Sequence, residues 1–575
     1  MRTRGRHAAR GWAAPLMCIT CFAALAAPAP PPSGYLAPGD VVSRLQDVAA
    51  ASDRAHMVEI AKTDEGRGVF ALAIGENDAA GRPGILILAD PDGDRPIASQ
   101  IACNLAERLA SSDELTGVAS VYIVPAANPD GAARAFAGED PWRGWPVDED
   151  RDGRTDEDPA EDLNDDGHVL QMRVADPTGK WRVDEHDPRA MVEADASKGE
   201  VGGYRLLTEG IDNDSDRALN EDGPGGVRLD ANWPHRWQEH ARDAGPFQLS
   251  EPETHGLIEF MLSRPNISVV IVLGSEDNTA DAVDGADDSD PDSTEPLKDD
   301  ADLLNLLGDR LWDGEDAKPR GAAHGHGGFA DWAYYQFGAL VIESAVWSPP
   351  LDADEKDADE TQADDPDGDT SADDNGEDDS GGDAEDDGEE DDDMSDAVKL
   401  LAWGDATYAG AAFVDWSPFR HPDLGDVEIG GWLPLTLHNP PADAIAGLVD
   451  RWETFVLSLA DDLPRVEWVK VEVSEAADRL FDARATLVNG QLFPTVTVMG
   501  ERTRRPLPIR VSLELPEGGE LVAGRARHTV ARLKGRGDAR EFRWLYRLPR
   551  GVPDARIRAI SQAAGQAVVE LEVTR

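Results

Sequence analysis

The segment GILILADPDGDRPIASQ, residues 84–100, constrains the fold more than any other stretch. Residues 85–89 are apolar without interruption, bounded by a glycine and by Asp90-Pro91-Asp92-Gly93. A strand with no polar alternation has no solvated face, so this one is expected at the centre of a buried sheet. Helical spacing starts directly after the turn, with Ile97, Ile101, Leu105 and Leu109 on one face. Strand, tight turn and helix in so short a span is the unit of an α/β fold. Such folds gather ligands at the carboxyl ends of their strands, which makes the turn at 90–95 the first candidate site.

The neighbouring sequence extends this pattern. Residues 41–51 read as a helix, 56–60 and 68–74 as paired strands, and 118–124 as another strand running into Pro125-Ala126-Ala127-Asn128. Ser250 and Glu253 have the spacing of a capping box, with Pro252 in the first turn of a helix reaching Leu262. Residues 267–273 are a second continuous apolar strand ending at Gly274. A short helix at 303–312 and a strand at 339–344 follow. Residues 442–459 form an amphipathic helix. After Pro464 the texture changes to short strands at 466–473, 481–487, 495–499, 509–515 and 567–573, which predicts an immunoglobulin-like β-sandwich. The predicted fold class is α/β, a mixed sheet flanked by helices, followed by a C-terminal sandwich over 465–575.

A chain of 575 residues exceeds one core, in keeping with that division. Its net charge is −60, from 114 acidic and 54 basic residues. Such a surface repels nucleic acid and anionic lipid and attracts divalent cations. Residues 1–27 carry Arg2, Arg4, Arg6 and Arg10, then an apolar run ending in small residues, and read as a secretory signal; an uncleaved anchor is the alternative. The run is short for a membrane span, so the mature chain is expected to be secreted or periplasmic with no span. Cys18 and Cys21 leave with the signal, and Cys103 sits in an apolar helix as a core residue. Residues 352–396 are almost all Asp, Glu, Gly, Ser and Ala, so an acidic disordered insert is expected there.

Residues 141–234 form a second insert, rich in Asp-Gly turns. DEDRDGRTDED (148–158), DLNDDG (162–167) and DNDSDRALNED (212–222) each place several oxygens on a short loop. The calcium candidates are Asp148, Asp150 and Asp152, then Asp162, Asn164 and Asp166, then Asp212, Asp214 and Asp216. None has the bidentate Glu that completes an EF-hand at the twelfth place, and solvated acidic turns are the alternative.

Four motifs, in the family's order, resemble the zinc carboxypeptidase A family: VPAANPDG (124–131), LDANWPHRW (229–237), SEPET (250–254) and GGFADWAYYQFGALVIES (327–344). HPDLGDVEIGGW (421–432), with the Asp-rich insert, is similar to a secreted bacterial subgroup. The resemblance covers about residues 40–460 and implies a zinc peptidase. In that family a His-Gly-x-Glu turn and a later strand-end His hold the metal, which polarises the scissile carbonyl and activates water; a Glu serves as general base. Here the turn puts Asp92 and Arg95 at the first two ligand positions and Gly274 at the third, while Glu343 keeps the general-base position. The substrate-carboxylate motif is Asp230-Ala231-Asn232, so its arginine is gone and Asn232 remains; Arg143 is the candidate for the family's oxyanion arginine, and the catalytic-loop tyrosine maps near Ala323. An arginine does not bind zinc.

Zinc is thus the family's cofactor but its ligands are missing, which points to an exported pseudoenzyme whose cleft binds peptide or peptidoglycan-like material. Glu343 is expected to pair with Arg95 across the old metal site. One alternative is an active metallocarboxypeptidase with a rearranged site built from His324, His326 and Asp92. The other is a surface structural protein in which the sandwich makes the contacts.

Overall fold

The computed structural model describes residues 29–75, 82–115, 117–139, 153–155, 158–214, 219–220, 226–241, 243–286, 295–314, 318–322, 327–351 and 394–572. The expected central strand forms as β3 (Gly84–Ala89), buried at every residue. It lies in a six-stranded mixed sheet with β1 (Ala55–Lys62), β2 (Gly68–Ile74), β4 (Ser120–Val124), β9 (Ile267–Leu273) and β10 (Leu340–Ser344), ordered β1-β2-β4-β3-β9-β10. The four strands β4, β3, β9 and β10 run parallel, and β1 and β2 join antiparallel at one edge.

Both faces of this sheet are covered, which is why its strands lack alternation. One face packs α1 (Pro38–Ala51), α2 (Pro96–Ser111) and the helix Ile445–Ser458 over Ile85, Ile87, Val121, Ile123 and Ile271. The other packs α4 (Pro252–Leu262) and the aromatic segment 329–337 over Leu86, Leu88, Val270 and Val341. The predicted capping box at Ser250 does not form. Glu251 stands at the N-cap, and the Ser250 hydroxyl is used elsewhere, donating to the Glu251 carboxylate (2.7 Å) and accepting from Asn232 (3.0 Å).

The Asp-rich insert is more ordered than its composition implies. Its strands β5 (Gln171–Ala175), β6 (Trp181–Val183), β7 (Met191–Glu193) and β8 (Tyr204–Thr208) join a hairpin, β11 (Phe413–His421) and β12 (Gly425–Trp432), in a second six-stranded antiparallel sheet. His421 ties the two parts. It is buried, its Nε2 lies 2.8 Å from the Gly210 carbonyl, and its Nδ1 accepts the amides of Asp423 and Leu424, which fixes the Nε2–H tautomer.

Beyond Pro464, β13 (Val466–Ala477), β14 (Leu480–Asn489), β18 (Asp538–Arg547) and β16 (Glu520–Ala523) form one four-stranded sheet. β17 (Arg527–Val530), β15 (Ile509–Glu514), β19 (Arg556–Ile560) and β20 (Gln566–Glu570) form the other. The two enclose a single core that includes Phe481, Trp544, Val511 and Ile557. The strand expected at 495–499 is instead the approach to a short helix, Val498–Thr503. Thr497 caps it by accepting the Gly500 amide, and its first amides are captured by another element.

That element is α5 (Lys298–Leu311). The buried Asp300 carboxylate on it accepts the amides of Val498 (3.0 Å) and Met499 (3.3 Å) and the Tyr334 hydroxyl (2.9 Å). Phe493 enters one core of the central sheet and Met499 the other, so the sandwich completes the α/β domain's packing. Asp300→Ala removes the acceptor of the Val498 and Met499 amides and of the Tyr334 O–H, whose oxygen keeps only the Leu297 amide. The substitution is expected to lower stability by about 3 kcal/mol, read as a shift in the urea midpoint, with both domains still unfolding together.

Candidate functional site

The turn after β3 is built by one buried carboxylate. Asp90 takes a left-handed φ of 57°, and its oxygens accept the Arg95 amide (2.9 Å) and the Ser99 hydroxyl (3.3 Å). Gly93 has φ 87°, and a Cβ there would stand 2.7 Å from the Ala132 amide nitrogen on α3 (Pro129–Phe136). From the end of β4, Asn128 donates to the Asp92 carbonyl (3.2 Å) and accepts the Gly131 amide (2.8 Å). The two strand-end segments picked out in the sequence therefore meet.

The neighbouring strands complete the rim. Ala89 pairs with Leu273 and Ser344 with Leu273, so β3, β9 and β10 end side by side. Asp92, bonded to the residue after Gly274, and Glu343, one residue before the end of β10, lie at these strand ends. The Ser275 hydroxyl donates to Asp92 Oδ2 (2.9 Å), while Asp92 Oδ1 is buried with no hydrogen-bond partner. Gly274 donates its amide to the Ser344 carbonyl (3.0 Å). A Cβ at 274 would meet Pro91 at 3.4 Å, an ordinary contact, so the backbone does not require glycine there.

Arg95 is buried, with 7% of its surface exposed. Its ion partner is Asp94, with Nε 3.7 Å from Oδ1, so the pair expected between Arg95 and Glu343 is not the one adopted. The reason lies in the turn: the Asp90 bond fixes the Arg95 backbone, and Asp94 is its immediate neighbour. His438, on the segment that follows the second sheet, lies in the field of Arg95; burial first, then that charge, pushes its imidazole below the ordinary value. The adjacent Asn439 accepts the Ile97 amide (3.1 Å) at the start of α2 and donates to the Asp94 carbonyl (3.1 Å), clamping the turn.

The rim carries strong negative charge. Burial pushes Asp92 up to about 6, and Asp94 pushes in the same direction. Burial raises Asp230 well above the usual carboxylate range, reinforced by Glu276, Asp92 and Glu343. Asp90 is pushed up to about 7 by burial and by Asp94. The opposing cation is Arg228, whose Nε donates to Asp243 (3.0 Å). Burial works against its charge, but Asp92, Asp230 and Asp243 together hold it above its ordinary value. Sequence reasoning missed Arg228; its place two residues before Asp230, directly ahead of the motif at 229–237, was the available signal.

Asn232 does not offer itself to a substrate. It is fully buried; its amide donates to Ala244, Phe247 and Ser250, and its oxygen accepts from Thr254 (2.9 Å). It staples the loop before α4. Of the calcium candidates, Asp162, Asn164 and Asp166 sit on one tight loop. Asp162 accepts the amides of Asp166 and Gly167, and Asn164 donates to Asp166 (3.0 Å). Asp212 and Asp214 lie beside an amide bond from Asn213 to the buried Asp158 carboxylate (3.0 Å). Arg143, Asp148, Asp150, Asp152, Asp216, His324 and His326 lie outside the described residues. Among the described residues no group of three or more His, Cys, Asp or Glu is arranged to hold a metal ion.

Residues 41–346 match the family model of zinc carboxypeptidases, and residues 465–572 match a domain of unknown function, DUF8731. No curated protein matches the chain. Among solved structures, carboxypeptidase A from Helicoverpa armigera aligns at 16% identity over 54% of this chain and 64% of its own, with a TM-score of 0.33. The metallo-carboxypeptidase from Burkholderia cenocepacia aligns at 15% identity over 53% and 58%, with a TM-score of 0.28. That from Pseudomonas aeruginosa aligns at 14% over the same shares, with a TM-score of 0.27.

Two outcomes are expected at this rim. Gly93→Ala combines a left-handed φ with a backbone clash and should cost at least about 2 kcal/mol in denaturant unfolding. The second concerns pH. An acid raised on folding binds its proton more tightly in the folded state, so stability is lost as pH rises from the unfolded value through the folded one. For Asp92 that window is from 3.8 to about 6. The melting temperature of Asp92→Asn should therefore gain on wild type as pH rises from about 4 to about 7. The comparison cancels His438 and His235, which burial pushes down and which act in the opposite sense.

Proposed function

We propose that this chain, which belongs to the zinc carboxypeptidase family, is an exported member that does not carry out zinc-dependent hydrolysis and uses the cleft above Glu343 to bind peptide or cell-wall material. The observation that carries this reading is Arg95, a buried cation at a ligand position. Zinc binding needs deprotonated or neutral donors, and a guanidinium stays charged and offers none. Gly274 supplies no side chain. The single remaining donor position is Asp92, whose Oδ1 is buried without a hydrogen-bond partner. This set does not fit zinc. Glu343 stays at the strand end as a buried carboxylate without the electrophile that a general base would serve.

Export rests on the basic-then-apolar N-terminus. No helix of the described residues is long and apolar enough to cross a membrane. Calcium in the Asp-rich loops belongs to the same reading as a structural ion, which a calcium-dependent rise in melting temperature would reveal.

The deciding experiment measures zinc content and cleavage of C-terminal peptide substrates on one purified sample of the full chain. Wild type is expected to retain no stoichiometric zinc and to release no C-terminal residue. The triple substitution D92H/R95E/G274H supplies two imidazoles and a carboxylate, and a Cβ at 274 makes only an ordinary contact with Pro91. It should bind one zinc per chain. Zinc with activity in wild type would overturn the reading and direct attention to His324 and His326.

A further inference from the structure

The charge of the chain is divided unequally. Residues 465–575 hold 20 basic and 14 acidic side chains, a net of +6 within a protein of −60, and 18 of those 20 bases are arginine. The sandwich is therefore a cationic module on an anionic body. Fixed charges more than about 8–10 Å away are largely screened at physiological salt, so the body does not cancel the module's own field.

The arginines have a defined place on the β17-β15-β19-β20 sheet. Its inner face presents Ile509, Val511, Ile557 and Ala559 to the core. Alternation sends Arg510, Ser512, Arg527, Thr529, Arg556, Arg558 and Gln566 outward. Arg558 is matched to Glu514 (2.7 Å) and Arg556 to Glu570 (2.7 Å). Arg510 and Arg527 are exposed and have no ion pair among the described residues. Strand register puts Arg510 opposite Thr529 and Ser512 opposite Arg527. The two guanidiniums thus lie on one diagonal of a four-residue tile, with two hydroxyls on the other. Like charges on a diagonal about 7–8 Å apart repel unless an anion lies between them.

We infer that this outer face binds an acidic polysaccharide, with Arg510 and Arg527 as the pair that contacts its carboxylates. Planar guanidinium forks match carboxylates in bidentate geometry, which lysines do not. Ser512, Thr529 and Gln566 supply hydrogen bonds for sugar hydroxyls, and Ile560 and Val568, the latter 45% exposed, supply apolar contact for ring C–H groups. Single-stranded nucleic acid is disfavoured because base stacking needs exposed rings, and the sandwich aromatics Phe481, Phe542, Trp544 and Tyr546 are buried and Trp468 half-buried. Among the described residues β17 pairs only with β15, so an extended polymer has an open edge to follow. This surface is separate from the cleft, and its test does not depend on the cleft being occupied.

The test is affinity electrophoresis of the full chain through gels containing polygalacturonate, neutral dextran or duplex DNA, at low ionic strength. Polygalacturonate should retard wild type, dextran should not, and duplex DNA should bind more weakly at equal charge concentration. R510Q/R527Q should weaken polygalacturonate binding by at least about tenfold. R547Q/R550Q, an equal charge change elsewhere on the sandwich, should leave it within about twofold. Melting curves confirm that each variant is folded, and R527Q alone serves if the double variant is not. Three results would overturn the inference: no retardation of wild type by polygalacturonate, equal losses in the two double variants, or tighter binding to DNA.

Discussion

The hydrogen bond from the Arg95 amide to the buried Asp90 carboxylate is the small element on which the rim depends. β3 is apolar on every residue because helices cover both sheet faces. Its polar end is therefore its first chance to meet a ligand, and the chain must turn there within a few residues to begin α2. A left-handed aspartate, a left-handed glycine and an asparagine clamp from residue 439 meet that demand. The scaffold spends its local strain on a turn that, in the proposed reading, presents Asp92 and Arg95 in place of metal ligands. On that reading geometry and donor chemistry have separated.

That separation explains the electrostatics. Asp92, Asp230, Glu276 and Glu343 converge where a dication would hold carboxylates ionised. The charges are met by Arg228, by Arg95 beside Asp94, and by the raised acids themselves. Burial is the largest cause for both Asp92 and Asp230, and mutual repulsion adds to it. Two buried oxygens, Asp92 Oδ1 and Asp94 Oδ1, remain without a hydrogen-bond partner. Replacing one member of such a set shifts the others, so substitutions here are expected to couple rather than add.

Much of the architecture was legible because the central strands carry a signal that tertiary context does not override. Residues 85–89 and 267–273 admit only a doubly covered strand, and they are β3 and β9. The second sheet was not legible: Trp181–Val183 and Met191–Glu193 are three residues each, too short for periodicity to register. They pair with each other and, through Trp181, with β8, while a hairpin more than two hundred residues away in the chain joins the sheet through β5. The strand expected at 495–499 failed for a related reason. Its apolar alternation was real, but Thr497 and the Asp300 carboxylate supply a cap and a dock that turn the backbone helical. At the site, positions were readable from motif order, whereas partners were not. Asn232 reads as a ligand-facing amide in sequence and becomes a loop staple once Ala244, Phe247 and Thr254 surround it.

The sandwich changes how the rest of the molecule is to be understood. Phe493 and Met499 enter the two cores on opposite faces of the central sheet, and Asp300 holds the helix between them. Burial of two large side chains, each worth about 1.5–3 kcal/mol, with a carboxylate that satisfies two amides makes this junction part of the fold. Helix Val498–Thr503 sits against the segment 332–337 that leads into β10 and Glu343, since Thr497 bonds the Gly338 carbonyl (2.9 Å). The cationic face and the acidic rim are thus joined through packed elements rather than through a linker. A ligand that engages the sandwich is held at a set position relative to the cleft, and the opposite charges of the two surfaces discourage one ligand chemistry from occupying both.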